Sequence, residues 1–298
     1  MLWAISGFTQ TPDFSKMSKK EGFVPFYLDE EKGKIYLEIP FLDQEFLYVN
    51  SLTAGVGSND IGLDRGQLGD DRVVEFRKTG NKVLLVHKNY GFRAYTDNPY
   101  EAKSIRDAFA ESALWGFEIV KTEGNKLIVD GTNFFLQDAH GVSESLSRSR
   151  QGTYRVDASR SGLYYETIKN FPKNTEVEAT ITLTGTGAGG YLRSVTPTPE
   201  AVTVRMRHSF IELPELYAKR EFDPRAGYFG ITYQDYTTPI DEPLVKRFIA
   251  RHRLEKKDPT AAVSEPVEPI VYYLDRGTPE PVASALIEGG NWWAQAFE

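Results

Sequence analysis

FVPFYLDEEKGKIYLEI, residues 23–39, decides the fold class. Phe23 to Leu28 and Lys34 to Ile39 are short runs of aromatic and branched residues on either side of the turn DEEKG, the pattern of an antiparallel hairpin. Gly33 supplies the backbone freedom such a turn needs. The device recurs twice. Val73 to Arg77 and Lys82 to His87 flank KTGN around Gly80, and Phe117 to Lys121 and Lys126 to Val129 flank TEGN around Gly124. A recurrence about every 45 residues approaches the spacing of propeller blades. Lys-Gly-Asn turn chemistry is common, however, so an ordinary hairpin-rich β domain is the simpler account.

Outward from these hairpins the β pattern continues. Gly152 to Gly187 is β-rich and includes the alternating VEATITLTG (177–185). A glycine-rich segment (Thr186 to Gly190) and the turn TPTPE (196–200) follow. Then Val202, Val204, Met206, His208 and Phe210 alternate with Thr203, Arg205, Arg207 and Ser209, which predicts a strand with one apolar face. One internal helix is expected after Asn98-Pro99, with Ala102, Ile105, Phe109 and Ala113 at helical spacing. Leu213 to Pro243 is irregular and aromatic, and is expected to drape over a surface. A short basic amphipathic stretch, Pro243 to Leu254, leads into the linker-like EKKDPTAAVSEPVEP (255–269). The fold class is therefore α+β, predominantly β, with a β-rich domain over 1–260 and a boundary near 260.

Residues 261–298 read as a linker and the opening of a second domain. Ile270 to Leu274 is expected to form a strand closed by Asp275-Arg276-Gly277. Thr278 is the expected N-cap of a helix with Pro279 at its first position. Val282, Leu286, Gly289, Trp293 and Phe297 then gather on one face, with Trp292 and Trp293 expected to be partly exposed. A strand-helix unit of this kind buries its apolar face against later strands, so the sequence points to a domain whose remainder lies beyond Glu298.

Composition removes several function classes. The 298 residues are 40% hydrophobic and 26% charged, ordinary for a globular chain that buries a core. A formal net charge of −7 argues against nucleic-acid partners. No run approaches the roughly 20 apolar residues of a membrane span. The start, MLWAISGFTQTPDF, has no basic region and too short an apolar stretch for a secretory signal. The absence of cysteine excludes disulfides, thiolate metal sites and cysteine nucleophiles.

Candidate chemistry is sparse. The four histidines are His87, His140, His208 and His252, and no H-E-x-x-H is present. His140 and Glu144, and His208 and Glu212, are each four apart, a spacing that supplies two metal ligands only on a helix; His208 sits in a strand pattern and His140 at a loop. Asp60, Asp64, Asp70 and Asp71 lie in TAGVGSNDIGLDRGQLGDD (53–71), where they could offer oxygens to calcium, although turn formation explains them better. The same segment lacks the ending of a phosphate loop. Ser6, Ser143 and Ser145 show no nucleophile elbow. Tyr228, Phe229, Tyr233 and Tyr236 either line a sugar or peptide groove or pack across the β domain, the second being preferred. No catalytic, cofactor-binding or metal residue is assigned.

The strings FDPRAGYFG (222–230), YTTPIDEP (236–243), RHRLEKKDP (251–259), SEPVEPIVYYLDRGTPEPV (264–282) and WWAQAFE (292–298) together resemble a bacterial family of zinc-dependent metalloproteases. That family places an uncharacterised β-rich domain ahead of a metzincin-like catalytic domain. SNDIGLDRGQLG (58–69) and KVLLVHKNYGFRA (82–94) also look like the upstream domain. The resemblance implies a periplasmic or extracellular protein whose zinc helix lies beyond residue 298. It implies an N-terminal region that supports or masks a peptidase domain, inactive alone, with peptide or protein substrates. A free-standing β-rich binding module is the alternative.

Overall fold

The computed structural model describes residues 12–214 and 218–297. The chain divides into two compact units, Met1–Pro214 and Glu215–Glu298. The first unit holds strands β1 (Ser18–Lys20), β2 (Phe26–Asp29), β3 (Lys34–Ile39), β4 (Glu45–Ala54), β5 (Leu68–Thr79), β6 (Lys82–His87), β7 (Phe92–Arg93), β8 (Ser112–Glu123) and β9 (Lys126–Asp130). It continues through β10 (Thr153–Val156), β11 (Gly162–Leu163), β12 (Lys169–Asn170), β13 (Asn174–Thr186) and β14 (Ala201–Ile211). Its helices are α1 (Pro99–Ala108), α2 (Thr132–Phe135), α3 (Val142–Arg148) and α4 (Gly190–Val195). The α+β, predominantly β fold is as the alternation predicts.

The hairpins β2–β3, β5–β6 and β8–β9 form at the three expected turns. Gly33, Gly80 and Gly124 take φ of 66°, 56° and 57°, the left-handed region that favours glycine. The hairpins are not propeller blades. They belong to one antiparallel sheet ordered β1-β2-β3-β9-β8-β6-β5-β4-β14-β13-β10, with β11 and β12 also on β13. Strand β4 sits between β5 and β14, and β3 lies beside β9.

The sheet curls until its two ends meet. Phe23 N–H donates to the Phe171 carbonyl at 2.8 Å, and Val24 N–H to Thr175 Oγ1 at 2.9 Å. Asn170 Nδ2 donates to the carbonyls of Val24 and Lys20 at 2.9 and 3.1 Å. Side chains thus satisfy backbone groups that a continuous ladder would otherwise pair.

Inside the curl, alternation places one face of each strand in the core. Phe46, Tyr48, Val74, Phe76, Leu85, Phe117, Phe134, Phe135 and Phe210 make an aromatic centre. Phe210 packs edge-on to Phe46 at 5.5 Å between centroids and tilts against Tyr48 at 5.6 Å. Burying each such ring contributes roughly 1.5–3 kcal/mol. A second cluster, around Leu52, Ile61, Leu63, Leu146, Ile181, Leu192 and Met206, fills the other part of the unit.

The expected helix forms as α1, capped by Asn98 Oδ1 accepting from Tyr100 N–H at 3.1 Å. No residue of α1 is buried, so its apolar spacing does not mark a core face, and Ala113 belongs to β8.

In the second unit, β15 (Gly230–Asp235) and β16 (Val245–Ile249) form a hairpin paired from Gly230↔Ile249 to Gln234↔Val245. This corrects the expectation of an irregular segment followed by a basic amphipathic stretch. The strands show no clean alternation because Tyr233 alone among them is buried, stacked on Phe248 at 5.9 Å. Ile270 to Leu274 forms no strand; it meets no ladder partner among the described residues. Helix α5 (Val282–Asn291) begins later than the expected Thr278 cap. Pro281 disfavours helical backbone at Glu280, so Pro279 cannot start a continuous helix. A turn at Trp292-Trp293 separates α5 from α6 (Ala294–Phe297). No helix among the described residues is long and apolar enough to cross a membrane.

Candidate functional site

His208, on β14, is buried among Phe134, Phe135 and Tyr48. Its Nδ1 lies 2.9 Å from Tyr48 Oη, while Nε2, beside the Phe135 backbone, makes no hydrogen bond of acceptable geometry. Burial pulls this imidazole down to about 4, so it is neutral near pH 7. It is a core histidine. Glu212, four residues on, pairs with Lys173 at 3.3 Å.

His140 lies in the turn before α3, and its Nδ1 meets Asn50 Oδ1 at 3.1 Å. Asn50 Nδ2 donates to the Ala139 carbonyl at 2.8 Å, fixing the turn against β4. Gly69 allows this approach, since a Cβ there would stand 1.8 Å from Asn50 Oδ1. Burial lowers the His140 pKa. Glu144 reaches Arg148 at 3.3 Å rather than His140.

Asp138 accepts from the N–H groups of Val142 and Ser143, both at 2.8 Å, and caps α3. Ser143 Oγ donates to the same carboxylate at 2.7 Å, joining the two N–H groups that Asp138 holds at the start of α3. Ser145 serves the helix, its carbonyl accepting from Ser149 Oγ at 2.8 Å. Ser6 falls outside the described residues.

Asp60 and Asp64 are exposed on the β4–β5 connection, whose Val56, Ile61 and Leu63 are buried. Gly57, Gly62 and Gly66 there have positive φ, the turn role expected for this segment. Asp70 and Asp71 lie on β5. Among the described residues no group of three or more His, Asp or Glu is placed to hold a metal ion. Tyr228 and Phe229 are exposed, whereas Tyr233 packs inside its own hairpin.

A cleft of about 490 Å³ opens where β6 ends, lined by Asp71, Val73, His87, Lys88, Asn89, Tyr90 and Ser112 among others. Beside it lies an ion-pair network. Glu111 receives Arg77 at 2.9 Å and Lys88 at 3.0 Å, and Glu75 receives Arg77 and, at 3.4 Å, Lys88. The Arg77 hydrogen bond holds the Glu111 carboxyl below its usual range. Burial works against the Lys88 charge, but Glu111 and Glu75 outweigh it and raise the pKa. Tyr90 Oη donates to Glu45, and burial pushes its phenol up. Burial lowers the His87 pKa. Two carboxylates and two cations match one another in this network. Hairpin register alone joins Glu75 to Lys88; nothing in the sequence spacing brings in Glu111 or Ser112.

These observations define a β-rich α+β scaffold in which, among the described residues, no group of three or more His, Asp or Glu is placed to hold a metal ion. The chain belongs to the family described as a domain of unknown function, DUF5117, which matches residues 66–257, more than half of its length. A second domain of unknown function, DUF5118, matches residues 14–55. No curated protein and no solved structure matches the chain.

Proposed function

We propose that the chain is the non-catalytic region of a zinc-dependent metalloprotease, with its second unit packing against a peptidase domain. One observation carries the reading. Across the described residues of the second unit only Tyr233 is buried, while Tyr272 and Tyr273 are 88% and 92% exposed and Trp292 and Trp293 are 66% and 69% exposed. Apolar surface of that extent marks a face meant for a partner. The sequence resemblance, strongest over Phe222 to Glu298, supplies the partner's class. Zinc, in that domain, would polarise a peptide carbonyl and activate water.

The alternative, a free-standing binding module, needs this segment to stabilise its own unit. Deleting residues 268–298 separates the two. Urea unfolding of the remaining chain is expected to stay within about 0.5 kcal/mol of the parent, the scale of changes away from a core. A loss of several kcal/mol would refute the docking reading and favour the module. Hydrogen exchange across 213–243 and 268–297 provides the second readout. A longer form carrying a peptidase domain should protect these segments, and unchanged protection counts against the proposal.

A further inference from the structure

We propose that the open edge of β5 beside the cleft binds an extended peptide carrying a basic side chain. The argument uses the first unit alone and goes beyond the docking role assigned to the second.

Strand β5 outruns its neighbour. Residues Val74 to Thr79 pair with β6, which ends at His87, and Lys88 N–H donates to the Val73 carbonyl at 3.0 Å. Leu68 to Arg72 pair with β4 on one side and, among the described residues, with no strand on the other. Main-chain groups alternate in direction along a strand, so the N–H and C=O of Asp71 point the same way as the Val73 carbonyl, into the open side. The cleft of about 490 Å³ lies along this edge.

The register supplies the side-chain preference. Asp71 faces Val49 and Leu68 faces Ser51, so β5 advances three residues while β4 advances two. This bulge puts Leu68 and Asp71 on one face although they are three apart. Leu68 is 71% exposed. Asp71 is exposed and forms no ion pair among the described residues, unlike Glu75 and Glu111, which are matched by Arg77 and Lys88. A strand added here would meet a main-chain donor and acceptor, an unmatched carboxylate and an apolar side chain on the same face. That combination selects a peptide with a Lys or Arg two residues from an aliphatic residue, held by strand addition.

The test is fluorescence anisotropy of the full chain with a labelled acetyl-Thr-Lys-Thr-Leu-Thr amide, together with amide NMR shifts. Binding is expected to perturb the Leu68–Val73 amides. Asp71→Asn should weaken it about two- to fivefold, the range for an exposed charge pair. Main-chain N-methylation of the peptide should weaken it about tenfold, and Leu68→Ala several-fold, with circular dichroism confirming the fold of each variant. No binding at about 1 mM, shifts centred elsewhere, or affinity indifferent to both Asp71→Asn and N-methylation would each overturn the proposal.

Discussion

His208 sets a measurable pH dependence on folding. Its imidazole ionises at about 4 in the native state against an ordinary 6.5, because protonation would place a charge among aromatic rings. The unfolded chain therefore takes up the proton first. Stability is full above pH 6.5, falls as pH drops towards 4, and levels off below. At 1.36 kcal/mol per unit, a 2.5-unit gap amounts to about 3 kcal/mol in all, of which about 2 kcal/mol is lost between pH 7.5 and 5. His87 and His140, also lowered by burial, act in the same direction. The informative quantity is hence the difference between the parent and His208→Gln, each unfolded in urea at pH 7.5, 6 and 5. Stopping at pH 5 keeps Glu38, Glu111 and Asp130, whose native pKa values are lowered, out of the window. The variant should have a pH slope flatter by about 2 kcal/mol over the range. An unchanged slope would refute the assignment of this dependence to His208.

Two further substitutions probe the sheet. Phe210→Ala removes the ring packed against Phe46, Tyr48, Phe76 and Phe134, and should cost about 3–5 kcal/mol in urea unfolding. Arg207→Met strips the ion-pair partner from Glu178, whose side chain is only 2% exposed, leaving it the Thr53 hydroxyl, and should cost about 3 kcal/mol in urea unfolding. A loss within about 0.5 kcal/mol would refute the weight given to this pair.

The fold was legible where pattern and turn chemistry agreed. Val202 to Phe210 alternates as β14 requires, and the three glycines at left-handed φ announce their hairpins. Strand β4 was less visible because Asn50, on its buried face, is polar and earns its place only through the His140 turn. The β15–β16 hairpin hid for the opposite reason: both faces are largely exposed, so no periodicity marks it. The cleft could not be read at all. Asp71, Tyr90 and Ser112 meet only because β5 runs on past the point where β6 ends and His87 pairs with Ser112, a property of the pairing rather than of any local string.

The position of β4 between β5 and β14 bears on how the protein is made. Tyr48 and His208 stand hydrogen-bonded across that ladder, 160 residues apart in the chain. At about 5–20 residues per second, β4 waits roughly 8–30 s on the ribosome before β14 is synthesised, with its second edge unpaired. The stretch matched as DUF5118 ends at residue 55, within a residue of the end of β4, and so contributes strands to a sheet completed only by the segment matched as DUF5117. Residues 14–55 and the part of the second stretch up to residue 214 thus share one sheet, and a gene fragment encoding residues 14–55 alone would leave β4 without its native neighbours β5 and β14.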